Sequence, residues 1–222
     1  MLCFLDFCYF AIFLCQISIN KDKFHTQMKT ILTSIFYMPG VIIHEFSHYL
    51  FCIIFNAKVI KVCFYNFNDS SGYVLHERPK YLYQNVLISI APFFINSLLG
   101  GLIAYPTVID KLSITGLASL NWQDVLRIII SISIGMKAIP SKGDGLSLWG
   151  SINDSYDNFL LKIFGQIIIA PLVLIIYLMN ITSSYLKIEL LYGLSICFLG
   201  PKLIKNIIYL DIIQEFVRRK VF

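Results

Sequence analysis

His44 and His48 lie four residues apart, and Glu45 directly follows the first of them, in the pattern His-Glu-x-x-His. On a helix this spacing puts two imidazoles one turn apart on the same face, where both can bind one zinc ion. A glutamate between them can take a proton from a metal-bound water. The residue types and their spacing therefore predict a hydrolytic metal site, with His44 and His48 as ligands and Glu45 as the base.

This pattern lies inside a long apolar stretch, residues 31–55, which is long enough for a membrane-spanning helix. Ionisable side chains are costly in hydrocarbon and need a partner, which a metal ion would supply. Hydrophobic residues make up 57% of the 222 residues and charged residues 14%, whereas a soluble domain has about a quarter charged residues. We therefore expect an integral, multi-pass membrane protein embedded in a lipid bilayer.

The net charge of +5 does not indicate nucleic acid as a partner, because the basic residues lie in short predicted loops and at the C-terminus rather than in one patch. The six cysteines show no Cys-x-x-Cys spacing, and most lie in apolar runs. This distribution is typical of small buried side chains rather than of disulfides or a thiolate metal site.

Apolar runs of about the length that a bilayer requires recur along the chain. They predict about six transmembrane helices, at residues 2–19, 31–55, 81–105, 125–140, 159–179 and 188–199, the last with its flanks. The first segment lacks a basic leader and a clear cleavage site, so a retained helix is favoured over a signal peptide. Residues 203–222 have the pattern of an amphipathic, interfacial tail.

Residues 57–80 differ from the apolar runs on either side. Residues 59–65 are β-branched and aromatic, residues 66–72 have the composition of a turn, and residues 73–75 resume the strand pattern. The predicted fold class is therefore an all-α polytopic membrane protein with a small β-hairpin after the metal-motif helix.

Three parts are predicted along the chain. Residues 1–30 form the first transmembrane helix and a loop, residues 31–145 a three-helix core with the hairpin, and residues 146–222 accessory helices and the tail. Six spans place eleven lysines and arginines inside, including Lys137, and six outside, including Lys187. This count favours cytoplasmic N- and C-termini.

A catalytic zinc site has three protein ligands and an open position for water, so two histidines leave it incomplete. His25 lies in a predicted loop, and His76, at the end of the hairpin, has the position of a surface residue. Asp144 follows a Pro-Ser-Lys-Gly turn directly after a predicted span, so a helix end would fix its position. Asp144 is therefore the predicted third ligand, and a plain turn between helices is the alternative. The other candidates lack such a constraint: Asp110, Asp124, Asp154 and Asp157.

Together these features resemble the site-two protease family of intramembrane zinc metalloproteases. The resemblance covers residues 31–145: the His-Glu-x-x-His helix, the hairpin after it, the element Ala91-Pro92-x-x-x-Asn96, and a later Pro…Asp-Gly. It implies a zinc metalloendopeptidase that hydrolyses peptide bonds within or beside the transmembrane segments of membrane proteins.

By this resemblance His44, His48 and Asp144 would bind the zinc ion, and Glu45 would be the general base. The chain departs from the family's usual third-ligand motif, Asn-x-x-Pro…Leu-Asp-Gly, because Lys137 takes the place of the Asn and Gly143 that of the Leu.

Two elements could contact a substrate. Asn96, in the middle of a predicted span, either binds near the substrate or bonds a neighbouring helix. The hairpin could hold an extended segment at its edge by β-augmentation. Such a strand would matter because a transmembrane helix must unwind before water can reach its peptide bonds.

Two other classes of function are compatible with parts of the sequence. A non-proteolytic metal-binding membrane protein, a pseudoprotease or scaffold, would be indicated by a non-acidic residue at position 45, but glutamate is present. An ion transporter would have polar groups scattered through several spans, whereas here the strongest ones converge on two elements.

Overall fold

The structure of the chain is a computed structural model. It describes the backbone of residues 2–67, 69–112, 116, 120–155 and 158–221, and the side chains of residues 28–67, 69–112, 116, 120–152, 158–182 and 187–209. The chain forms two compact units, Met1–Phe36 and Tyr37–Phe222. All five predicted site residues belong to the second unit.

In these parts of the chain, six α-helices, a π-helical segment and one hairpin follow one another. They are α1 (Leu2–Ile54), β1 (Val59–Asn66), β2 (Ser71–His76), α2 (Leu82–Tyr105) with the π-helical segment (Pro106–Leu112), α3 (Trp122–Met136), α4 (Lys142–Ser155), α5 (Phe159–Leu186) and α6 (Ile188–Val221). The mostly helical class is as predicted, but the helix α4 is not, and the predicted division after residue 145 falls inside it.

The predicted β-hairpin is confirmed. β1 and β2 pair antiparallel, with Val62 opposite Val74 and Cys63 opposite Tyr73. The register is irregular on both sides of these pairs. Such irregularities bend a ribbon locally, so the hairpin is not a flat two-stranded sheet.

Three helices in the described residues are long and apolar enough to cross a membrane. They are Leu82–Leu112, Phe159–Thr182 and Ile188–Tyr209. These helices indicate a membrane protein by length and composition, but the predicted number of six is not confirmed. α3 has 15 residues, fewer than a bilayer requires. The predicted first span, residues 2–19, lies outside the described side chains.

Two predicted interruptions of helices are wrong. Residues 20–29, predicted as a loop that contains His25, are helical within α1, and no proline or glycine occurs there to end a helix. Residues 188–221 form one helix rather than a short span and a separate tail. Side chains after residue 209, on which the predicted amphipathic character depends, lie outside the described residues.

α3 and α4 together run antiparallel along α2. Four contacts show this, because they occur in opposite order on the two sides: Asn85 with Ser151, Asn96 with Ile134, Gly100 with Ser131, and Thr107 with Asp124. The break between α3 and α4, residues 137–141, lies opposite the segment of α2 between Asn85 and Asn96.

One premise of the predicted orientation is wrong. The count placed Lys137 inside and Lys187 outside, yet the Lys137 Nζ lies 3.2 Å from the Glu189 Oε2, two residues after Lys187. These two segments therefore lie at the same depth rather than on opposite sides. The cytoplasmic position of the termini stays a prediction.

Candidate metal centre

The two histidines of the motif meet on one face of α1. One helical turn separates His44 from His48, and their Nε2 atoms lie 3.2 Å apart. Both side chains are buried, with His44 8% and His48 6% exposed. The spacing in the sequence therefore produces the predicted pair of imidazoles.

Asp144 lies beside both rings. Its Oδ1 is 3.2 Å from the His48 Nε2, and its Oδ2 is 3.8 Å from the His44 Nε2. The start of α4 fixes this position, because the Ser141 amide donates to the Asp144 Oδ2 (2.6 Å) and the Asp144 amide donates to the Ser141 Oγ (3.2 Å). This reciprocal pair is a capping box, which orders the first turn of a helix.

Hydrogen bonds on the far side of each ring fix the tautomers. The His44 Nδ1 donates to the Lys137 carbonyl (2.6 Å), and the His48 Nδ1 donates to the Ile88 carbonyl (2.8 Å). Because a carbonyl can only accept, both Nδ1 atoms carry a proton, and in the neutral rings both Nε2 atoms then present a lone pair. Two lone pairs and a carboxylate thus face one another, and a cation between them removes their repulsion.

The three ligand atoms lie within 4.8 Å of one another, so His44, His48 and Asp144 could hold a metal ion. The other candidates are placed differently. His76 borders the same cavity, but its Nδ1 faces the Glu77 carbonyl. Asp110 is exposed in the π-helical segment, and the Asp154 side chain lies outside the described residues.

The Ile88 carbonyl is available to His48 because of a proline. Within a helix this carbonyl would accept from the amide four residues later, which is Pro92 and has no N–H. The Ala-Pro element of α2 therefore leaves a buried acceptor unpaired inside the helix, and the His48 Nδ1 fills it. Metal-binding histidines commonly donate their second N–H to such a carbonyl, which orients the ring.

The Lys137 carbonyl is available to His44 for a different reason. Lys137 is the C-cap of α3, and the amide four residues later, Ser141, donates to Asp144 instead of to this carbonyl. The capping box of α4 thus positions Asp144 and also leaves the Lys137 carbonyl free to accept from His44.

Asn96 is fully buried, and its amide nitrogen lies 3.2 Å from each of three carbonyls, those of Gly40, Ile134 and Lys137. These carbonyls belong to α1, α3 and the end of α3, so Asn96 ties three helices together beside the site. The interhelical role that the sequence left open is therefore present. Contact with a substrate stays a prediction.

Glu45 borders two cavities that also share His44, Gly72 and Ser141. A cavity of about 410 Å³ borders His44, Glu45, His48 and Asp144 together with residues 72–76 of the hairpin. A second cavity, of about 260 Å³, borders His44 and Glu45 on the side of Glu189. Glu45 is 8% exposed, so its side chain is buried beside two cavities that water-sized groups can enter.

Gly72 brings the hairpin onto Glu45. A side-chain carbon at this position would lie 2.5 Å from the Glu45 Cγ and 2.8 Å from the carbonyl oxygens of Cys63 and Phe64. Only glycine fits this close approach without a shift of its neighbours. The strand β2 therefore forms a wall of the cavity directly over the predicted base.

Sequence reasoning missed the supporting groups of this site. The roles of the Ile88 and Lys137 carbonyls depend on tertiary contacts, although Pro92 was a local signal for an unpaired carbonyl. The pattern Ser141-x-x-Asp144 was a signal for the start of α4.

Comparisons of the chain with protein-family models, with curated proteins and with solved structures find no match.

Proposed function

We propose that the protein is an intramembrane zinc metalloprotease, a zinc metalloendopeptidase that hydrolyses peptide bonds within or beside the transmembrane segments of membrane proteins. The observation that carries this proposal is the convergence of His44, His48 and Asp144 directly beside the buried Glu45. Two imidazoles and one carboxylate form a donor set used by catalytic zinc sites.

The spacing of the three donors supports zinc as the metal. Ligands about 2.0–2.1 Å from a tetrahedral ion lie roughly 3.3 Å from one another. The two Nε2 atoms lie 3.2 Å apart, the Asp144 Oδ1 lies 3.2 Å from the His48 Nε2, and the other oxygen, Oδ2, lies 3.8 Å from the His44 Nε2. With one donor atom from each residue, the three donors lie within 4.8 Å of one another. Small movements of the Asp144 carboxylate would complete the geometry.

When bound, zinc supplies a water whose pKa is lowered toward about 7 and polarises a substrate carbonyl. His44, His48 and Asp144 hold the ion, and the carbonyls of Lys137 and Ile88 keep the two rings oriented. Glu45 takes the proton from the attacking water and passes it to the leaving amine. The enclosed position of Glu45 keeps this proton transfer away from bulk water.

The position of the hairpin is an argument for a substrate bound in an extended conformation. Residues 72–76 of β2 line the larger cavity together with the three proposed ligands. A segment paired with the free edge of β2 would present its peptide bonds to the site rather than satisfy them within its own helix. Asn96 is also proposed as a substrate-binding residue. Because its side chain is buried, a substrate would contact it only by extending beyond the three proposed metal ligands into the protein.

The bilayer is the setting of this reaction. Three candidate spans, Leu82–Leu112, Phe159–Thr182 and Ile188–Tyr209, support a multi-pass membrane protein. An apolar environment around the site would favour transmembrane segments of other proteins as substrates, with water reaching the metal through the polar cavities. We propose that both termini are cytoplasmic.

Reconstituted protein tests this function directly. Wild type and Glu45→Gln are incorporated into vesicles with a library of single-span transmembrane peptides, and products are identified by mass spectrometry. Wild type is expected to cleave a subset of the peptides. Glu45→Gln is expected to keep its zinc and lose cleavage by several orders of magnitude, above the roughly 10²–10⁴-fold typical of acid–base groups, because the nucleophile itself depends on this base.

Glu77→Gln is the matched control, because Glu77 is an exposed carboxylate of the hairpin end that pairs with Lys58. Normal cleavage by Glu45→Gln would refute the mechanism. A wild-type protein that binds zinc and cleaves nothing in the library would favour a non-proteolytic metal-binding protein.

A further inference from the structure

The backbone carbonyl of Lys137 lies where two supports of the metal centre meet. It accepts from the His44 Nδ1 at 2.6 Å and from the Asn96 Nδ2 at 3.2 Å. Lys137 has φ −95° and ψ 15°, outside the regular helix, so no helical hydrogen bond sets the direction of its carbonyl. The Ala138 amide, which shares a peptide unit with this carbonyl, donates to the Gly135 carbonyl (3.1 Å), and the side chain of Lys137 adds further restraints.

The side chain of Lys137 makes two such contacts. Its Nζ lies 3.2 Å from the Glu189 Oε2 at the start of α6, and 4.7 Å from the centre of the Tyr37 ring. The Lys137 and Glu189 side chains are 27% and 32% exposed, so water screens this ion pair less than a pair on the open surface. The Tyr37 ring adds a cation–π contact to the same ammonium group.

The pair lies at the site rather than on a remote surface. Glu189 and Lys137 border the smaller cavity together with His44 and Glu45. The ammonium group is therefore held by α1 and α6, while the carbonyl of the same residue holds His44. A change at the Lys137 side chain can therefore alter the orientation of the His44 ring through the backbone of Lys137 itself.

We propose that Lys137 is a positioning residue for the metal centre and that Glu189 holds it in place. The ion pair restrains the backbone of the break between α3 and α4. The restrained Lys137 carbonyl in turn keeps the His44 ring in the orientation that directs its Nε2 at the metal. This inference rests on the metal centre of the proposed function but not on peptide hydrolysis.

Cobalt binding by the full-length protein in detergent tests this role. Cobalt(II) reports the geometry of its ligands through its visible absorption, and competition with a chelator gives the affinities for cobalt and for zinc. Lys137→Met keeps the length of the side chain without its charge, Lys137→Arg keeps the charge, and Glu189→Gln removes the partner. Glu77→Gln, in the exposed pair with Lys58, is the control.

Lys137→Met and Glu189→Gln are expected to weaken metal binding by about tenfold, at the low end of the 10–100-fold range for groups that support a ligand. Both should alter the cobalt spectrum in the same way, because both release the same carbonyl. Lys137→Arg should keep most of the wild-type affinity, since a guanidinium can pair with a carboxylate and stack on a tyrosine ring. Glu77→Gln should match wild type.

Wild-type affinity and spectrum in folded Glu189→Gln would overturn the proposal. Equal losses in Lys137→Arg and Lys137→Met would also overturn it, because the charge would then have no role. If Lys137→Met does not fold, as judged by gel filtration, Glu189→Gln decides. Wild type that binds cobalt and cleaves no peptide favours a non-proteolytic metal-binding protein and leaves this inference standing, whereas wild type that binds no metal refutes both.

Discussion

His48 and His44 are oriented by carbonyls of two different kinds. The acceptor of His48 is the Ile88 carbonyl, inside the helix α2, where Pro92 removes the usual donor. The acceptor of His44 is the Lys137 carbonyl, at a break between two helices, where Ser141 donates to Asp144 instead. One support is local to a single helix, and the other depends on contacts from several helices.

Because of this difference, we expect the orientation of the His48 ring to be rigid and that of the His44 ring to respond to changes elsewhere in the protein. The Ile88 carbonyl is held by the regular backbone on either side of it, so surface changes should not reach His48. The Lys137 carbonyl depends on Asn96 from α2 and, through its side chain, on Glu189 from α6. We therefore expect changes in helix packing to lower metal affinity by altering the orientation of His44.

The largest effect is expected for Asn96→Ala, which acts on the His44 side. Three carbonyls share the two N–H groups of the Asn96 amide and would lose them, so the free energy of unfolding in detergent should fall by about 1–3 kcal/mol. Metal affinity should fall by about 10–100-fold, because the Lys137 carbonyl loses one of its restraints. Thermal unfolding and chelator competition measure the two quantities.

Ser97→Ala is the matched control for Asn96→Ala. Ser97 is the next residue of α2, and its hydroxyl bonds Tyr192 in α6. It should cost some stability and leave metal affinity unchanged. If Asn96→Ala instead lowers cleavage while stability and metal affinity stay at wild-type values, Asn96 contacts the substrate and the interhelical role is not the important one.

A smaller effect is expected for Pro92→Ala, which acts on the His48 side. The new amide can donate to the Ile88 carbonyl and compete with the His48 Nδ1. Metal affinity should fall by about tenfold. The change in stability should be small, because the better helix propensity of alanine opposes the cost of the cavity left by the fully buried Pro92 ring.

Pro171→Ala supplies the control, since Pro171 lies inside α5 and is exposed. Metal affinity should be the same as in wild type. Equal metal affinity in Pro92→Ala and wild type would show that His48 does not need the Ile88 carbonyl that Pro92 leaves without a helical donor.

The smallest effect is expected at the hairpin end, where Lys58 pairs with Glu77. The hydrogen bond from Lys58 to Glu77 raises the pKa of the lysine, so the contribution of the pair is present at neutral pH and is lost as pH rises through the raised pKa. Both side chains are exposed, at 74% and 53%. Lys58→Ala should therefore leave metal affinity and the thermal unfolding midpoint unchanged within error. A measurable loss of metal would mean that the hairpin end is coupled to the site.

The sequence predicted the cluster of His44, His48 and Asp144, which could hold a metal ion, from local patterns. His44 and His48 need only a helical turn between them, whereas the approach of Asp144 to His48 is a contact between distant parts of the chain. The hairpin was predictable for the same reason, since β-branched and aromatic runs flank a turn. For the histidine pair and the hairpin, short-range geometry decides the result.

The helix α4 could not be predicted as easily, because residues 142–155 contain three glycines, which disfavour helices. Its capping box starts it, and burial of Leu148 and Ile152 against α5 stabilises it. The role of the Lys137 carbonyl could not be predicted from the sequence either. Its partners are 41 and 93 residues away in the chain, and no local pattern specifies them.

Metal analysis tests the central claim, that His44, His48 and Asp144 form one metal centre. Full-length wild type and the double variant His44→Ala/His48→Ala are purified in parallel, and the zinc content per chain is measured by mass spectrometry. We expect one tightly bound zinc per wild-type chain and none in the double variant, with the same gel-filtration profile for both proteins. Equal zinc content in the two proteins would contradict the account.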